Sequence, residues 1–156
     1  MATFLAQLLA SEKAAIVETI FTRIRNADAE HYQGEDARLV HARIERLAEQ
    51  FIGACAGDPR DFSQYVRQIT AERIREGYHL REIQRVLSML EFKGWDICAH
   101  RIDDRGDLLR SLSLLTETIG IAKDELARVY LEESTKARDS VAILERRIER
   151  LMAGTV

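Results

Sequence analysis

Apolar residues recur at intervals of three and four along nearly the whole chain, the period of one buried helix face. Phe4, Leu5, Leu8 and Leu9 make a short first helix. Ser11 is placed to cap a second, in which Ile16, Val17, Ile20, Phe21 and Ile24 recur. A polar run from Asn26 to Glu35 predicts a loop, with His31 in it as a solvated side chain. The next stripe is Leu39, Val40, Ile44, Leu47, Phe51 and Cys55, ending near Gly57. Asp58-Pro59 then predicts a fresh start, with Asp as N-cap and Pro in the first turn. Phe62, Val66, Ile69 and Ile74 follow, and Gly77 stops that helix. His79 occupies the next N-cap position, with Glu82 three residues on as the acidic half of a capping box. Leu80, Ile83, Leu87, Leu90 and Ile97 continue the pattern, with Trp95 at the edge and Gly94 permitting close approach of a neighbour.

After a polar turn at Asp103–Gly106, no proline or turn cluster appears from 107 to about 152. Leu112, Leu115, Ile119, Ala122, Leu126 and Val129 lie on one stripe. Tyr130, Ala137, Val141, Leu144, Ile148 and Leu151 continue in a shifted phase that resembles a stutter, at coiled-coil spacing. About 45 residues at ~1.5 Å each predict a helix of ~68 Å, longer than a domain of this size is wide. It must bend back, or project and pair with another chain. The expected fold is all-α: one domain over residues 1–156, a helical bundle with a long C-terminal helix.

Composition fits that picture. Hydrophobic residues make up 46% and charged residues 31%, with a single proline, so the chain is globular and helical. Net charge is −3 with both signs interspersed, which leaves no basic footprint for nucleic acid or an acidic membrane. No apolar run reaches a membrane span. Cys55 and Cys98 are not in a C-x-x-C pair and, with no signal peptide, are expected as buried thiols of a cytoplasmic protein.

Candidate chemistry is sparse. The chain lacks G-x-S-x-G, H-E-x-x-H, a P-loop and G-x-G-x-x-G, so no catalytic residue is expected. Glu76 and His79 have the E-x-x-H spacing of a di-iron ligand pair, but such sites need two motifs and Gly77 breaks this one. His41–Glu45 and Asp96–His100 are i,i+4 pairs expected on solvated faces. No metal is expected. An all-α chain of this length also suits a haem-binding gas or redox sensor, with His100 or His79 as axial ligand, although five phenylalanines are few for a haem cleft. Arg73–Leu87 has a helix-turn-helix outline, yet an ordinary helical corner is expected there, since Arg73 stands where a small residue normally lets the helices pack.

The stretch Ile74-Arg75-Glu76-Gly77-Tyr78-His79-Leu80-Arg81-Glu82-Ile83, continuing through Leu87 and Leu90 to Trp95, resembles the N-terminal domain of RsbR-type RsbT co-antagonists, the stressosome sensors. Length, helix order and the long last helix extend the resemblance over nearly the whole chain. It implies a globin-like fold that does not bind haem. It also implies a homodimer that passes a stress-response signal along the C-terminal helix to a downstream signalling protein. Two departures stand out: the sequence stops at Val156 without an output domain, and His79 replaces the usual small or proline-like cap. The residues expected in the dimer and relay helix are Leu112, Leu115, Ile119, Leu126, Leu144, Ile148 and Leu151. No cofactor is expected.

Overall fold

Four of the six described helices begin where a short polar side chain satisfies backbone N–H groups that lack a partner in the first turn. The computed structural model describes residues 3–26 and 34–154, and the His31 loop falls outside them. Thr3 caps α1 (Phe4–Ser11), accepting a hydrogen bond from the Ala6 amide at 3.1 Å. α2 (Lys13–Asn26) follows after Glu12 alone. The Ser11 hydroxyl is therefore not the expected cap; it donates to the Leu8 carbonyl at 2.7 Å, inside the first helix, which it was expected to follow. Asp36 caps α3 (Ala37–Ala56), and Asp58 caps α4 (Pro59–Arg75) with Pro59 in the first turn. Gly77 takes φ 92°, a left-handed conformation that side chains resist, and so turns the chain between α4 and α5 (Leu80–Arg101). The Glu82 carboxylate accepts from the His79 amide at 2.8 Å, the expected acidic half of the capping box.

Asp104 caps α6, which runs unbroken from Arg105 to Ala153 and passes straight through Gly120. The protein is thus an all-α bundle with a long C-terminal helix, as the periodicity predicts. α6 packs most extensively against α4 and α5, while α2 and α1 close over α3. Leu9, Ile20, Phe51, Phe62, Leu90, Leu115 and Ile119 are essentially inaccessible and form one continuous core. Each such side chain stabilises the fold by roughly 1.5–3 kcal/mol through burial. Gly94 is where α5 and α6 approach: a Cβ there would run into the Leu115 side chain. Among the described residues no helix is long and apolar enough to cross a membrane.

Candidate functional site

The core face of α6 ends at Val129. Up to that point Ser111, Leu115, Thr118, Ile119, Ala122, Leu126 and Val129 are buried. The shifted phase that begins at Tyr130 has a structural counterpart: the buried face ends at Val129, the next turn borders α4 only through polar residues such as Glu132 and Glu133, and the later apolar positions no longer face the core. Beyond it, Val141, Leu144, Ile148 and Leu151 are 53%, 57%, 55% and 68% exposed. The seven residues expected in the dimer and relay helix thus divide. Leu115, Ile119 and Leu126 belong to the core, Leu112 is partly buried against it, and Leu144, Ile148 and Leu151 face solvent.

Ion pairs brace the exit. Arg67 of α4 donates to Glu125 at 2.7 Å and to Glu132 at 2.8 Å, spanning the last buried turn and the first projecting one. Glu125 is buried, so its charge is carried by Arg67 with help from Arg128 at 3.5 Å. On the other side Lys123 pairs with Glu91 of α5 at 2.6 Å. Sequence reasoning missed this bracing. A signal was available: Glu125 falls in the same period as Ser111, Leu115, Thr118, Ala122 and Val129, and a carboxylate at a core position implies a cationic partner reaching in to it.

The three described histidines do not converge on a site. His41 pairs with Glu18 at 2.9 Å rather than with Glu45, which lies nearer Lys13 at 3.7 Å. The two are near neighbours on α3, but α2 presents a closer acceptor. His100 contacts Asp96 at 3.2 Å on an exposed face, as its spacing suggests. No three His, Cys, Asp or Glu side chains gather for a metal among the described residues. Cys55 and Cys98 are both buried, and desolvation pushes the Cys55 thiol up to about 12, where it is a poor nucleophile.

An apolar cavity of about 60 Å³ lies between α2, α3, α4 and α5, lined by Ile24, Val40, Leu47, Val66, Val86 and Leu87. Arg43 and Arg73 edge it, each already paired: Arg43 with Glu35 at 2.6 Å, and Arg73 with Glu76. Burial would raise the Glu35 pKa, but hydrogen bonds from Tyr78 and Arg43 outweigh it and hold the carboxyl below its ordinary range. The cavity is well under the ~150 Å³ that admits benzene. Neither His79 nor His100 lines it, and both are exposed. These residues do not fit a haem. Titrating the protein with haemin should give no saturable Soret band; a sharp band at one haem per chain, lost in His100→Ala or His79→Ala, would contradict this.

Compared with known proteins, the chain matches no family model, no curated protein and no solved structure.

Proposed function

We propose that this chain is a non-enzymatic sensor and signal-relay module of the stressosome, RsbR N-terminal type. In this reading it is globin-like, cytoplasmic and homodimeric, and it acts on a downstream signalling protein through its C-terminal helix. One observation carries the reading: α6 is shared between a packed body up to Val129 and an apolar seam at Val141, Leu144 and Ile148 that is more than half exposed among the described residues. An isolated water-exposed helix is marginal on its own, so a projecting seam of Val, Leu and Ile calls for a packing partner. A relay needs such an element, because it responds both to how the body packs and to what the seam binds. The resemblance of the Ile74–Trp95 stretch to stressosome sensors supplies the type of signalling.

Sedimentation equilibrium of the intact chain tests the self-association on which this reading depends. A dimer in the micromolar range is expected. A monomer throughout that range would overturn it.

A further inference from the structure

We propose that the cavity between α2, α3, α4 and α5 is the inner half of a binding site for a short aliphatic carboxylate. The tail enters the cavity and the head lies in the adjoining groove between α3 and α4. The geometry does not depend on self-association. The cavity, of about 60 Å³, is walled by aliphatic side chains such as Val40, Leu47, Val66 and Val86. The groove, of about 280 Å³, is lined by Arg46, Gln68 and Glu72. Arg43, Tyr65, Ile69 and Arg73 line both, so the two spaces share one rim.

Size selects the tail. A dry cavity of ~150 Å³ takes the six carbons of benzene, roughly 25 Å³ for each, so this one takes about two to three. It therefore excludes a ring and admits the end of an unbranched chain, whose remaining carbons cross the rim into the groove. Each methylene removed from water there favours binding. Charge selects the head. Arg43 and Arg73 are already matched by Glu35 and Glu76. Arg46 is not: its guanidinium lies over the Tyr65 ring at 6.0 Å, and no carboxylate forms an ion pair with it among the described residues. Glu72, on the same groove, accepts instead from Gln68 at 3.3 Å. Burial raises the Tyr65 pKa, and Arg46 and Arg73 pull it back only in part, so the phenol keeps its proton and can donate. An unmatched guanidinium and a phenol beside an apolar opening offer a carboxylate charge-assisted hydrogen bonds. An ammonium head would be repelled by Arg46, and an alcohol would leave its charge unmatched.

Titrating the intact, isotope-labelled chain with sodium hexanoate tests the site, read by amide NMR shifts, which register weak binding. The expected result is a saturable set of shifts around Tyr65, Val66 and Ile69. Hexanoate should bind more tightly than acetate, which lacks the tail, and than hexanol or hexylamine, which lack the carboxylate. Arg46→Gln should weaken hexanoate by about tenfold, and Arg46→Lys, which keeps the charge, should restore part of the loss. Arg46 is exposed, so neither change should unfold the chain. Val86→Ile puts one more carbon into the cavity and should weaken hexanoate while leaving acetate unchanged. Shifts that do not saturate, or that map away from α3 and α4, would overturn the site. Acetate binding as tightly as hexanoate would take the tail out of the cavity and overturn it too. So would hexanol or hexylamine binding as tightly, which would take the head away from Arg46. Undiminished affinity in both Arg46→Gln and Val86→Ile would have the same meaning.

Discussion

Replacing Leu144 and Ile148 together with glutamate should convert the dimer to monomers while leaving helicity unchanged. Both side chains are more than half exposed in the single chain, so glutamate there meets water and disturbs no packing. Glutamate is also a good helix former, so α6 should persist. In the pair the same positions lie in the seam, where burial of the remaining apolar surface is worth about 1–2 kcal/mol per side chain. Four side chains per dimer give roughly 4–8 kcal/mol, a loss of affinity of about a thousandfold or more. Burying four carboxylates would add to it. Circular dichroism and sedimentation equilibrium on the same sample check both halves. A dimer of undiminished affinity would place the interface elsewhere, and lost helicity would mean that the seam supports the fold itself.

The opposite behaviour is expected at Phe51. Its side chain is fully buried and its ring lies 5.7 Å from that of Phe62, joining α3 to α4. Phe51→Ala removes that contact and leaves a cavity, at a cost of about 3–5 kcal/mol. For a domain whose whole stability is roughly 5–15 kcal/mol, this is a large fraction. A urea titration should show the midpoint falling with little change in slope, because the surface exposed on unfolding is almost the same. Phe51 does not touch the seam, so the part that remains folded should keep the self-association of the parent chain. A change in midpoint too small to measure would mean that the core collapses around the gap.

The helices were legible because most follow a local rule visible in a few residues. Asp58-Pro59 announces a start and Gly77 a stop, and both behave so in the structure. The long last helix was legible through what it lacks, since Gly120 is the one potential interruption between Gly106 and Gly154 and the helix runs through it. Ser11 shows the limit of the same rule: a hydroxyl can bond forward to cap a helix or back to a carbonyl, and the sequence does not say which. Which of two acids His41 meets depended on how α2 lies over α3, which periodicity does not specify. The site was legible in outline. The phase change near Tyr130 was visible as a stutter-like shift, and it falls where the buried face ends, yet the alternation alone could not divide Leu126 from Leu144, because a core and an interface demand the same apolar residue.

The length of α6 beyond its last buried residue also has a mechanical meaning. From Tyr130 to Ala153 it extends about 36 Å at ~1.5 Å per residue. Its fulcrum is the turn that Arg67 holds through Glu125 and Glu132. Tilting an arm of that length by about 5° at the fulcrum sweeps its tip through roughly 3 Å. A displacement of side chains in the body too slight to open a visible pocket would therefore arrive at the far end enlarged to the width of an atom.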